Sequence, residues 1–317
     1  MNILVTGGLG FIGSNIAERL LREGHDVWII DNFHTGSEVN IEEMKNNGMK
    51  IKGKLQEVMR ADAGQIEKVT AGRRFDVIFH NGIYSSTPMY RENPVLTAKV
   101  IEDWILLLEY ARKTDAKVVY ASTSSLYNGQ KPPHRENMSV TITDFYSEAR
   151  VMMERLAQLY KKMHGLKPVG LRYFSVYGPH EISKKKYANL ISQFMWDLKA
   201  GRQPIVYGDG TQTRDFTYVE DIVEANMLAI KYPECDVFNT GTGTSITIKE
   251  MLVVLGRMMN SPPELEAKFI INPIKNYVQH TMANTEKAEK LLKFKAKHTL
   301  EQGIAKLIQY YSTRQTP

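Results

Sequence analysis

The apolar run Ile3-Leu4-Val5 leads directly into Thr6-Gly7-Gly8-Leu9-Gly10-Phe11-Ile12-Gly13. No other stretch restricts the fold of this chain as tightly. Glycines at 7, 10 and 13 form G-x-x-G-x-x-G between a short strand and Ile12–Glu23, which has helical spacing. Glycine lets the backbone turn sharply and approach a pyrophosphate, whose charge then rests on unbonded N–H groups at the helix start. Asp31 ends a second apolar run, Val27–Ile30, 18 residues after Gly13, where a carboxylate can accept hydrogen bonds from adenosine ribose hydroxyls. Asn32, Phe33 and His34 follow, with no arginine among them to hold a 2′-phosphate, which favours NAD over NADP. Taken alone the glycines are equally a turn without a ligand. With the strand, the helix and the acid, they point to dinucleotide binding at Gly7, Gly10, Phe11, Ile12, Gly13, Asp31 and Asn32.

Further apolar runs at Val77–Phe79, Val118–Tyr120 and Val169–Leu171 alternate with helical stretches such as Val100–Arg112 and Arg150–Met163. Such alternation predicts an α/β protein, a Rossmann-like doubly wound parallel sheet covered on both faces. After about residue 175 the pattern loosens around Gly208-Asp209-Gly210, Gly241-Thr242-Gly243 and Pro262-Pro263. The expected organisation is a dinucleotide-binding domain over 1–174 and mainly a smaller α/β substrate-binding lobe over 175–317, with the chain able to cross between them. The 41 basic and 35 acidic residues are interspersed, and the densest basic run is Lys184-Lys185-Lys186, so a nucleic-acid partner is not expected. No apolar stretch spans a bilayer and no leader-like segment opens the sequence, so no membrane association is expected. The lone Cys235 fits a reducing compartment, and a cytoplasmic location is expected. No metal site is expected.

Thr6–Gly13, Asp31-Asn32, Ser122–Tyr127, Tyr146–Arg150, Leu171–Pro179 and Gly208–Phe216 together resemble the extended short-chain dehydrogenase/reductases. Within them the chain is most similar to UDP-glucose 4-epimerases and other NAD-dependent sugar-nucleotide epimerases and dehydratases, from Met1 to about Gly303. The resemblance places the catalytic hydroxyl on Thr123 and the catalytic phenol on Tyr146. Four residues later, where the family carries lysine, stands Arg150. A basic residue four after a tyrosine is expected about twice by chance among 16 tyrosines in this chain. Tyr127 and Lys131 form such a pair, but Gly129, Pro132 and Pro133 forbid the helix that would put both on one face.

The chemistry implied is removal of a hydroxyl proton as hydride leaves a sugar carbon. A phenol is mostly protonated at neutral pH, and a fixed cation nearby favours the phenolate. Thr123 would bond the same hydroxyl. Arg150 would keep the electrostatic role while changing the contact to the nicotinamide ribose. The acid pair that 4,6-dehydratases carry after the threonine is here Ser124-Ser125, which cannot do that acid–base work.

By the same resemblance Asp62 and Ala63 face the adenine, Gly82 leaves room beside the dinucleotide, and Tyr173 and Phe174 flank the nicotinamide. On the substrate side, Arg214 would pair with the diphosphate and Tyr207 would lie against the base. Ser175 replaces the family's asparagine, and Lys275 is a substitute phosphate contact where the late Arg-Pro-Gly-Asp is missing. The implied function is NAD-dependent epimerisation of a nucleotide sugar, UDP-linked, at C4 through a 4-keto intermediate. A homodimer built on Val100–Arg112 and Arg150–Met163 is implied too. A decarboxylase or reductase on the same scaffold, and an NAD(H)-sensing protein that has lost catalysis, are the alternatives.

Overall fold

A computed structural model describes residues 1–46, 51–314 and 316. Its strands are β1 (Asn2–Thr6), β2 (Asp26–Asp31), β3 (Lys54–Arg60), β4 (Val77–His80), β5 (Lys117–Thr123), β6 (Val169–Tyr173), β7 (Val176–Tyr177), β8 (Ile205–Tyr207), β9 (Thr213–Arg214), β10 (Thr217–Tyr218), β11 (Asp236–Thr240), β12 (Ile246–Thr247) and β13 (Lys268–Ile270). Seven of them form one parallel sheet in the order β11-β6-β5-β4-β1-β2-β3. The winding direction reverses between β1 and β4, and in open α/β sheets the crevice outside the strand ends at that point is where ligands bind.

The described helices are α1 (Phe11–Glu23), α2 (Glu38–Asn46), α3 (Ile66–Thr70), α4 (Thr87–Glu92), α5 (Leu96–Thr114), α6 (Phe145–His164), α7 (Leu190–Lys199), α8 (Val219–Ile230), α9 (Ile248–Met258) and α10 (Leu300–Tyr311). Successive strand residues go to opposite faces. Ile3, Val5, Val27, Ile29 and Phe79 pack with α1 and α8. Leu4, Trp28, Ile30, Ile78 and Tyr120 pack with Trp104 and Leu107 of α5 and Met153 of α6. Burial on both faces is why these strands read as unbroken apolar runs. Beyond residue 175 the short strands, α7, α9 and α10 enclose a core of their own around Phe194, Phe216, Met251 and Leu307. The chain returns from there through α8 to β11, which pairs with β6 from Asp236–Val169 to Thr240–Tyr173. Among the described residues no helix is long and apolar enough to cross a membrane, and no cluster of three metal-ligating side chains occurs.

One buried polar cluster ties α10 to α1 behind the glycine turn. His180, 2% exposed, bonds Ser14 Oγ through Nδ1 (2.9 Å) and faces Glu43 through Nε2 (3.2 Å). Tyr310 donates its hydroxyl to Glu43, and Arg314 Nε donates at 2.8 Å. Burial pushes the Glu43 carboxyl up, but bonds from His180, Tyr310 and Arg314 outweigh it and hold it at about 2. A carboxylate depressed in the folded state contributes stability that is complete above its ordinary value of 4.5 and is lost as pH falls towards 2. Urea midpoints of the parent are therefore expected to fall more steeply on acidification through that window than those of Glu43→Gln. Parallel profiles for the two proteins would contradict this.

Candidate active site

The glycine turn bends because its backbone packs against backbone. Gly7 has φ +66°, and a Cβ there would meet the Asn81 carbonyl and the Gly82 nitrogen at 2.6 Å. A Cβ on Gly13 would stand 2.1 Å from the Gly7 oxygen, so the start of α1 can approach the turn only without one. Gly10 caps α1 without a side-chain bond and the first turn holds no acid, so the first amides of the helix face the cleft unneutralised. Asp31 closes the turn from β2, accepting N–H bonds from Leu9 (2.9 Å) and Phe33 (2.8 Å). Burial pushes its carboxyl up, against the pull of those backbone bonds. Asn32 Nδ2 donates to Asp62 Oδ1 at 2.8 Å, joining the β2 and β3 ends of the adenosine side.

From this turn a cleft of about 460 Å³ runs across the sheet to Thr123, Tyr146 and Arg150. Thr123 ends β5, where its Oγ accepts the Ser125 N–H (3.1 Å) and keeps its own hydrogen to donate. Tyr146 sits in the first turn of α6, whose start is fixed by Asp144 accepting from the Ser147 N–H at 2.9 Å. One turn on, the Arg150 guanidinium carbon lies 4.8 Å from the Tyr146 ring centroid. The cation covers the ring face. Its Nη2 donates to the Tyr84 carbonyl (2.6 Å), it has no carboxylate partner among the described residues, and it is 2% exposed. His80 beneath the cleft bonds Thr6 Oγ at 2.8 Å, and burial pushes it down to about 3, so it stays neutral.

Residues that the motifs did not single out hold this set in place. Glu154 continues the four-residue spacing of Tyr146 and Arg150 along α6. It accepts from Ser122 Oγ (2.6 Å) and from Arg172 Nε (2.9 Å) and Nη2 (2.6 Å). The helix carrying Tyr146 is thereby pinned to the strand carrying Thr123. Tyr127 stands in the core beside this pair, its hydroxyl bonded by Arg172 and donating to Asn239. The cleft is also walled by Ser85, Ser86, Thr87 and Arg91 and by Ile274, Asn276, Tyr277 and Val278, neither of which carries a recognisable pattern in the sequence.

Gly7, Gly10, Phe11, Ile12, Gly13, Asp31, Asn32, Asp62, Gly82, Tyr173, Ser175 and Arg214 all line the same cleft. Four expected residues do not. Phe174 is fully buried against Tyr127 and His134 in a separate cluster, since Tyr173 before it takes the side facing the cleft. Ala63 is buried in a short helix that Asp62 caps, after β3 has already ended at Arg60. Tyr207 lies outside the cleft, 38% exposed on the outlying strand β8. The Lys275 carbonyl accepts from Arg91 at 2.6 Å and its side chain is not part of the cleft wall, while its neighbours Ile274 and Asn276 line the cleft. Gly82 serves the turn itself, because a Cβ there would meet the Gly7 nitrogen at 2.9 Å. Arg214 is held by the carbonyls of Thr213 (2.9 Å), Val278 (2.6 Å) and Gln279 (3.1 Å), leaving a buried cation with no acidic partner among the described residues.

The cleft fits a dinucleotide on these observations alone. Three buried polar atoms in its walls, Asn81 Nδ2, Ser86 Oγ and Arg150 Nε, make no hydrogen bond among the described residues, and buried polar groups ordinarily have partners. With the bare amides of α1, they form a cradle for a phosphate-bearing, hydroxyl-rich ligand. An open parallel sheet with this turn at its switch point defines a dinucleotide-binding α/β protein. The profile of the NAD dependent epimerase/dehydratase family matches residues 3–241. The chain belongs to that family, and NAD is its cofactor. It is 30% identical over 314 residues to a UDP-glucuronate 4-epimerase of Thermodesulfobacterium geofontis, covering 97% of this chain and 95% of that one. It is 29% identical over 323 residues to a UDP-N-acetyl-alpha-D-glucosaminuronate decarboxylase of Bacillus cytotoxicus, covering 97% of each. The crystal structure of the Thermotoga maritima UDP-glucose 4-epimerase with UDP-glucose superposes with a TM-score of 0.89 at 27% identity, covering 98% of this chain and 99% of that one.

Proposed function

We propose that the protein is an NAD-dependent 4-epimerase of a UDP-linked sugar. The observation that carries this reading is the meeting of Thr123, Tyr146 and Arg150 in one cleft with the glycine turn, while Ser124 and Ser125 stand where a dehydratase needs acids. NAD, when bound, accepts and returns a hydride. Tyr146 takes the proton of the C4 hydroxyl, Thr123 orients that hydroxyl by a hydrogen bond, and Tyr146 returns the proton when the ketone is reduced on its other face. Arg150 holds positive charge against the Tyr146 ring and offers its Nε, which has no partner among the described residues, to the cofactor ribose. Arg214 supplies charge for the substrate diphosphate. Incubation with UDP-galactose and NAD is expected to yield UDP-glucose, and absence of any epimer with every UDP-hexose tried would overturn the reading.

Arginine in the lysine position gives its own test. Arg150→Met is expected to lower turnover about a hundredfold, whereas Arg150→Lys keeps most of it and shifts the pH–rate profile. An Arg150→Lys protein identical to the parent in turnover and profile would show that the guanidinium shapes nothing.

A uronic-acid sugar is the second reading, favoured by Arg91, which lines the same cleft as Ser86, whose buried hydroxyl has no partner among the described residues. A carboxylate on C6 would find in Arg91 a cation to pair with. UDP-glucuronate turned over in preference to UDP-glucose supports it, and released CO₂ would mark a decarboxylase. The exposed apolar side chains Ile105 and Leu106 on α5 and Leu159 and Met163 on α6 support a homodimer through these helices, measurable by light scattering. Cytoplasmic location is part of the same reading: burial pushes the Cys235 thiol up to about 11, and it has no disulfide partner.

A further inference from the structure

The run Lys184-Lys185-Lys186 has no part in the chemistry above, yet the fold brings its first member, Lys184, into the wall of the cofactor cleft. It belongs to Ile182–Tyr187, a segment moored on both sides. Ser183 Oγ donates to the Thr35 carbonyl (2.6 Å) in the loop after β2. At the other end, Lys186 Nζ (2.9 Å) and Tyr187 Oη (3.1 Å) reach Glu92 at the end of α4. Between these moorings the Lys184 side chain turns inward. It is 14% exposed against 66% for Lys186, and its ammonium stands 5.4 Å from the centroid of the Phe11 ring.

Lys184 has an acidic neighbour, Glu181, but at 3.5 Å, and that buried carboxylate already accepts the Asn189 N–H (2.6 Å) and Ser192 Oγ (2.5 Å). Donors of the ammonium are left over. The ammonium stands over the ring of Phe11, the first residue of α1, whose opening turn carries partial positive charge and holds no acid. Two positive ends brought together in a partly buried cleft repel unless an anion lies between them. The backbone supports the same placement: Lys185 has φ 48° and ψ −122°, a conformation that a residue with a Cβ adopts only where its surroundings enforce it.

We propose that Lys184 is a cofactor-binding residue, its ammonium meeting the NAD pyrophosphate opposite the α1 amides, and that Ile182–Tyr187 is the strap that presents it. The proposal rests on the cofactor reading given above. NAD and adenosine are titrated calorimetrically into the parent, Lys184→Gln, Lys184→Arg and Lys185→Gln. Loss of one charge-assisted contact is expected to weaken NAD binding by Lys184→Gln about tenfold. Adenosine, which lacks the pyrophosphate, keeps its affinity. Lys184→Arg restores most of the NAD affinity, and Lys185→Gln behaves as the parent. Equal NAD affinity in Lys184→Gln and parent overturns the assignment, as does equal weakening of NAD and adenosine, which marks a structural role only. A parent that binds neither ligand overturns the cofactor reading and this inference together.

Discussion

Tyr146→Phe loses about a thousandfold in turnover, the range of a positioned acid–base group, while NAD affinity and thermal midpoint stay near those of the parent. The expectation follows from what the hydroxyl does and does not touch. The ring is packed edge-on against Tyr90 at 5.5 Å and covered by Arg150 at 4.8 Å, and both contacts survive in phenylalanine. The hydroxyl is the one group removed, and the sugar proton then has no acceptor beside Thr123. A chemical-step assay and a binding titration on the same preparation separate the two effects. A variant that keeps most of its turnover would move the base elsewhere in the cleft, and a variant that loses NAD binding would make Tyr146 a packing residue.

Gly13→Ala produces the second large effect, at the opposite end of the cleft. Its new methyl would stand 2.1 Å from the Gly7 oxygen and 3.0 Å from the Gly8 Cα, and all of these are backbone atoms that cannot swing away. The turn must open, at a cost of about 2–3 kcal/mol or more, and opening it withdraws the amides that face the pyrophosphate. NAD affinity is expected to fall at least about a hundredfold with a clear drop in thermal midpoint. Gly256→Ala in α9 is the control. Its methyl meets only Ser261 Cβ at 3.9 Å, and alanine in a helix interior is worth up to about 1 kcal/mol over glycine. Unchanged NAD binding in Gly13→Ala would contradict the turn's role.

The centre of the fold was legible because the central strands are buried on both faces, so their sequences contain little but apolar residues. The edges were less so. In β3 only Met59 is buried, and Lys54, Gln56, Glu57 and Arg60 break up its apolar residues. In β11 Asn239 and Thr240 are fully buried but satisfied, Asn239 by bonds with Tyr127, His134 and Glu136 and Thr240 by the Arg172 carbonyl. Polar residues buried by pairing carry no hydropathy signal. At the site, residues read from a motif fell in the cleft where the motif turns back on itself, as at Gly7–Gly13. Neighbours in sequence did not travel together: Tyr173 faces the cleft and Phe174 the core, as alternation along an extended chain requires. The Ser85–Arg91 wall, Ile274–Val278 and the strap over 182–187 come from short helical turns and irregular segments that only tertiary contacts place, such as Arg91 on the Lys275 carbonyl and Ser183 on the Thr35 carbonyl.

The central claim is that one cleft removes a hydride from C4 and gives the same hydride back. UDP-galactose carrying deuterium at C4, incubated with the protein and NAD and followed by NMR, tests it directly. The account predicts UDP-glucose that retains deuterium at C4, with no accumulation of NADH. Epimer formed with loss of the label to solvent would replace hydride transfer by proton abstraction and contradict the account.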